Sequence, residues 1–296
     1  MSDGVHDLDR GRDGAAAPRT VVVVDRRQRG VPLALQVSLP AYVVALVVAE
    51  ILVAFVDPLA GAVIDAVVVL AIANHLVALL PDDAEYSSRP GAPHDLLRAV
   101  ALVPILRLAS LALPLSDVPQ AYWHLIVGGP VLVAALVVAT PQGLRRSLRP
   151  AAARVRSMQR GDVRDLQLGL LMGIPLGLGA FVLLEPSPLA SYASWPRLLA
   201  AAIGVILAGV LEEIVFRGLL QSALRRVLGV GGVVLSCLLY GAVYLGTDSA
   251  VAVLFFTLLG IAFAIRVERT RSIVGVAAAH GALNLGLLVV WPLLLG

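Results

Sequence analysis

The chain has 296 residues, of which 59% are hydrophobic and 15% charged, with a mean hydropathy of +0.90 and a formal charge of +3. Soluble domains carry about 25% charged residues, so this composition excludes a water-soluble enzyme and predicts an all-α, polytopic transmembrane helical bundle in a lipid bilayer. The positive charge is all arginine, with no basic strip interleaved with aromatics, which argues against a nucleic-acid partner; the single cysteine, Cys237, excludes a disulfide framework and a cysteine-based metal site.

Residues 1–32 are polar, and their only apolar run, Val21 to Val24, is too short for the core of a signal peptide. They read as a disordered cytoplasmic tail ahead of uncleaved spans. Nine apolar stretches follow, at 36–56, 60–80, 96–115, 120–140, 166–185, 198–224, 231–247, 250–267 and 272–295, each near the length that ~30 Å of hydrocarbon requires. The first four form an N-terminal membrane module over 33–140. Within it Glu50, Asp65, His75, Arg107 and His124 lie at membrane depth without a recognisable motif. Bridges between helices, such as Glu50 or Asp65 with Arg107, account for them, with ion or solute transport as the rival reading. Gly128-Gly129-Pro130 interrupts the fourth span and reads as a packed kink.

The stretch 141–165 holds seven arginines (Arg145, Arg146, Arg149, Arg154, Arg156, Arg160 and Arg164) against Asp162 and Asp165, and reads as a basic cytoplasmic linker lying on anionic headgroups. The other five spans form a C-terminal module over 166–296. In its first span Gly169, Gly173 and Gly177 sit four apart, a flat stripe for a neighbouring helix, with Pro175 expected to bend it. Arginines in the tail, in the linker, at Arg225 and Arg226, and at Arg266, Arg269 and Arg271 all fall on one side of the membrane. The excess of positive charge on cytoplasmic loops then predicts an integral protein of the cell membrane with its N-terminus in the cytoplasm and its C-terminus outside. The loop 81–95, with Asp82, Asp83 and Glu85, lies on the same side, but acidic residues count little in that rule. No internal repeat supports an inverted-repeat transporter.

The chemistry concentrates in the last hundred residues. The sixth span contains Glu212-Glu213-Ile214-Val215-Phe216-Arg217-Gly218. Glu213 and Arg217 are four apart, on one face and in the favourable order for an ion pair. Glu212 is rotated by about 100° and has no such cation, which leaves a desolvated carboxylate suited to general acid–base work. The ninth span carries His280 and Asn284, again four apart, able to donate hydrogen bonds toward one oxygen as an acyl-transfer intermediate needs. Counted from the cytoplasmic turns, Glu212 lies about 25 Å along its helix and His280 about 12 Å, so a meeting requires tilt, a dipping loop or a different helix start. There is no HExxH, GxSxG or GxGD pattern.

What remains, EExxxR followed by HxxxN, resembles the CPBP family of intramembrane endopeptidases, which includes type II CAAX prenyl proteases and bacteriocin-processing or immunity homologues. The matching segments are Glu212 to Gly218, Tyr240 to Leu245, Arg271 to Val274 and His280 to Asn284, within a core at about 197–291. Where the family has FxxxH, this chain has Tyr240 and Tyr244. The resemblance implies an intramembrane endopeptidase acting on a peptide or membrane-protein substrate. Glu212 would activate water, Tyr244 orient it, His280 and Asn284 hold the oxyanion, and Glu213 and Arg217 brace the helix. It also implies that a divalent metal such as zinc, with Glu212 and His280 as ligands, has to be considered. The alternative is a catalytically impaired homologue that serves as a membrane scaffold or immunity-type binding protein.

Overall fold

A computed structural model describes residues 33–78, 93–113, 115–138, 160–186, 189, 194–247 and 249–295. The tail at 1–32, the acidic residues Asp82, Asp83 and Glu85, and the 141–159 part of the basic linker lie outside these residues. Among the described residues the chain forms nine long helices and no strand. They are α1 (Leu33–Phe55), α2 (Pro58–Ala78), α3 (Pro93–Ala112), α4 (Trp123–Val138), α5 (Arg160–Leu184), α6 (Trp195–Leu228), α7 (Val230–Val243), α8 (Ala250–Thr270) and α9 (Val274–Leu295). A 3-10 turn, Gln120–Tyr122, precedes α4, and another, Tyr244–Thr247, follows α7.

Eight of these helices are long and apolar enough to cross a membrane. In hydrocarbon every backbone donor and acceptor must be satisfied within the segment, which a helix does and an open sheet does not. The remaining one, α3, carries Asp95, Arg98 and Arg107 and is sheathed by protein instead: Leu96, Leu97 and every residue from Ala99 to Val103 are buried. Two turns buried on all faces mark it as the central helix of the N-terminal spans. Its charges therefore meet protein groups, and Arg107 forms an ion pair with Glu50 of α1, one of the two pairings its position predicts.

The glycine stripe of α5 packs on α9 in parallel register. A Cβ at Gly169, Gly173 or Gly177 would stand 2.1, 2.4 and 2.7 Å from the carbonyl oxygens of Gly275, Ala279 and Leu283. Only hydrogen side chains permit that approach, which holds the helix bearing His280 against α5. In the fourth span the interruption read at Gly128-Gly129-Pro130 is not a break in the helix. α4 runs through Gly128, Gly129 and Pro130 without a break, because a proline in a long apolar helix loses one backbone bond while the flanking turns continue. α5 likewise continues through Pro175 to Leu184.

Candidate active site

α6 and α7 are antiparallel about the turn at Gly229, and successive contacts fix their register. Gly232 lies against the Leu224 carbonyl, the Arg217 guanidinium sits 4.5 Å over the Tyr240 ring, and the Tyr244 hydroxyl donates to Glu212 Oε2 at 2.8 Å. α9 runs antiparallel to α6. Asn284 pairs with Val205, Gly209 abuts the backbone of His280, and Ile273 stands beside Gly218. α9 thus begins level with Gly218, whereas α6 continues to Leu228, about 15 Å farther. The turn Arg271-Ser272-Ile273 therefore delivers the chain to α9 level with Gly218 and not with the end of α6, and this closes the depth gap that straight counting leaves between Glu212 and His280.

Past Glu213, α6 changes to a π-helical segment, Ile214–Gln221. Bonding from i to i+5 widens the turn, and such segments recur at functional sites. Glu213 and Arg217 still share a face, yet Arg217 Nε stands 3.6 Å from Glu213 Oε2, an ion pair without a hydrogen bond, with both side chains fully buried. The guanidinium donates through Nη2 to the Gly260 carbonyl of α8 at 3.1 Å.

Glu213 Oε1 meets His280 Nδ1 at 2.9 Å. An ionised carboxylate only accepts, so Nδ1 carries the hydrogen of this bond. The other ring nitrogen, Nε2, is buried, lacks a hydrogen-bond partner and faces Glu212 Oε2 at 3.9 Å. Glu212 differs from its surroundings in access: 26% of its side chain is exposed, against none for His280 or Glu213. Its proton-donating neighbours form a chain. Tyr244 spends its hydroxyl hydrogen on Glu212, so Tyr240, 3.2 Å from the Tyr244 oxygen, donates to Tyr244. Phe256 of α8 stacks on the Tyr244 ring at 4.0 Å and 9°.

The site therefore brings together Glu212, Glu213, Arg217, Tyr244 and His280. Asn284 lies one turn farther along α9 and donates an amide hydrogen to the Val205 carbonyl at 3.3 Å, about two turns of α6 from Glu212. Sequence reasoning noted Tyr240 without giving it a role, although its spacing of four from Tyr244 puts both on one face of α7. Phe256 left no signal in the sequence.

A zinc site needs three protein ligands, normally imidazole, thiolate or carboxylate. Only Glu212 and His280 Nε2 converge here, and the third position is a phenol whose hydrogen is already committed to Glu212. Among the described residues no three His, Cys, Asp or Glu side chains are grouped to hold an ion. The donor set does not fit a metal.

Residues 193–286 match the model of a family described as type II CAAX prenyl endopeptidase Rce1-like. The matched segment includes α6, α7, α8 and the part of α9 that carries His280 and Asn284. No curated protein and no solved structure matches the chain.

Proposed function

We propose, from the premise that residues 193–286 form an Rce1-like domain of the type II CAAX prenyl endopeptidase family, that this integral membrane protein hydrolyses peptide bonds of membrane-associated substrates with water activated by Glu212. The observation that carries the reading is the contrast between a Glu212 side chain that is 26% exposed and the fully buried side chains of Glu213 and His280, with His280 Nε2 unpartnered 3.9 Å away.

Charge balance assigns the roles. Glu212, Glu213 and Arg217 together leave one net negative charge inside the membrane, where isolated charge is costly. A single proton on His280 Nε2 or on Glu212 neutralises the cluster, and the two atoms are close enough to exchange it through one water. The reaction uses the form with the proton on Nε2, Glu213 facing Nδ1–H, and Glu212 as the free base. Glu212 takes a proton from water as the oxygen attacks the peptide carbonyl carbon. Nε2–H and the remaining amide hydrogen of Asn284 meet the oxygen that becomes negative. The C–N bond then breaks as Glu212 passes its proton to the leaving nitrogen, giving a carboxylic acid and an amine. Tyr244 keeps Glu212 Oε2 in place throughout, and Glu213 and Arg217 hold the ring and the helix.

The arginine distribution supports an N-terminus in the cytoplasm and a C-terminus outside in the cell membrane. The test is cleavage of reporter-labelled membrane peptides by protein reconstituted in liposomes. Wild type is expected to cut and Glu212→Ala to be inert; equal cleavage by both would remove the reading. One observation favours a second reading, a binding or scaffold protein without turnover: a phenol stands at position 244 where the family has imidazole. Retention of a defined membrane partner by a wild-type protein that cleaves nothing, with Tyr244→His equally silent, would support that reading instead.

A further inference from the structure

The Glu50–Arg107 pair lies outside the family-matched segment, in α1 and α3, yet it reaches the site. Glu50 is 3% exposed and the Arg107 side chain 12%. Arg107 Nε donates to Glu50 Oε1 at 3.0 Å, and its Nη2 donates both to Glu50 Oε2 and to the backbone carbonyl of Val243. Val243 is the last residue of α7, and Tyr244 begins the 3-10 turn. The last carbonyls of a helix have no partner within it. The 3-10 turn Tyr244–Thr247 offers such carbonyls backbone donors, and at Val243 a guanidinium fork anchored by a carboxylate adds a charged one. The same guanidinium underlies the rest of the turn, since a Cβ at Gly246 would stand 3.4 Å from both Nη1 and Nη2. The gripped carbonyl belongs to the peptide bond that joins Val243 to Tyr244, the tyrosine that donates to Glu212.

We infer that Arg107, braced by Glu50, is a positioning residue: by gripping the Val243 carbonyl it fixes where α7 ends and hence where the Tyr244 hydroxyl meets Glu212. The N-terminal spans thereby contribute to the geometry of a site whose groups come from α6, the turn after α7, and α9. The inference deepens the endopeptidase reading and rests on it for the word reaction, while the grip itself is independent of turnover.

The test uses the full chain with 3-fluorotyrosine at position 244, read by fluorine NMR, alongside kcat and KM for a membrane peptide. Arg107→Gln strands Glu50 without a counter-ion and risks the fold, so the principal variant is Arg107→Lys. It keeps the charge but cannot fork to a carboxylate and a carbonyl together. The double variant Glu50→Gln/Arg107→Gln, neutral at both positions, is the second. Arg266→Lys, at the ion pair with Asp165, is the control. Both test variants are expected to move the fluorine resonance and lower kcat tenfold or more with KM within twofold, while the control does neither. An unmoved resonance in folded Arg107→Lys overturns the inference, and so does a moved resonance with kcat unchanged. A moved resonance in a protein that never cleaves, even as wild type, keeps the grip and defeats the endopeptidase reading. Cleavage that depends on Glu212 but ignores Arg107 does the reverse.

Discussion

Tyr244 and His280 converge on the same atom of Glu212. The phenol donates to Oε2 at 2.8 Å, and the imidazole Nε2 stands 3.9 Å from that oxygen, from the opposite helix. The first contact is a hydrogen bond and the second is not, so the tyrosine holds the carboxylate while Nε2 keeps its hydrogen-bonding capacity unused. Under the proposed mechanism the phenol therefore steadies the base by donating to it, and does not share its proton.

Tyr244→Phe removes a hydrogen bond to a charged acceptor, worth about 1.5–3 kcal/mol, and leaves the stack on Phe256 intact. The expected result is a fall in kcat of about ten- to a hundredfold with KM little changed, since only the base is loosened. Steady-state kinetics on the reconstituted protein check this; an unchanged kcat would mean that Glu212 does not need the phenol.

Glu213→Gln separates bracing from proton balance. The side chain meets both Arg217 and His280 inside the bundle. Its loss leaves a buried guanidinium without its neighbouring counter-charge, expected to cost about 3–5 kcal/mol in unfolding free energy. It also lets the cluster reach neutrality with no proton on His280, so activity should fall at least a hundredfold even at temperatures where the variant is folded. Denaturant titration and kinetics on the same preparation measure the two effects separately.

Helix number and order were legible because hydrocarbon forces long apolar runs into helices, and the arginine-bearing α3 was legible by length alone. The pairing of Glu212 with Tyr244 was also within reach, since both lie at similar distances from the Gly229 turn. The meeting with His280 was not, because the level at which α9 starts depends on how α5 and α6 receive it, a packing property. The π segment after Glu213 and the grip of Arg107 on Val243 carry no local sequence signal either. Both arise from contacts between residues far apart in the chain.

Asn284→Ala tests whether the carboxamide serves the reaction or only the fold. One amide hydrogen goes to the Val205 carbonyl, so truncation costs a buried hydrogen bond, about 1 kcal/mol, as a purely structural role predicts. Loss of an oxyanion donor adds a fall in kcat of about a hundredfold or more. Thermal unfolding sets the first figure and turnover the second; a stability loss with kcat intact would take Asn284 out of the mechanism.

The α5 stripe offers a final check, because it acts on the site without touching it. Gly173→Ala would place its Cβ 2.4 Å from the Ala279 carbonyl and 2.6 Å from the Ala282 side chain, both on α9 and flanking His280. Backbone cannot yield as a flexible side chain does, so α9 must move away from α5, at a cost of about 1–3 kcal/mol and with His280 displaced from Glu212. Gly179→Ala on the same helix meets nothing within 4 Å and removes the conformational penalty of a helical glycine, roughly 0.5–1 kcal/mol in favour of folding. The pair should therefore diverge: Gly173→Ala less stable and strongly impaired in cleavage, Gly179→Ala equal to or more stable than wild type and fully active. Equal behaviour in thermal unfolding and turnover would mean that α9 is not seated on the stripe.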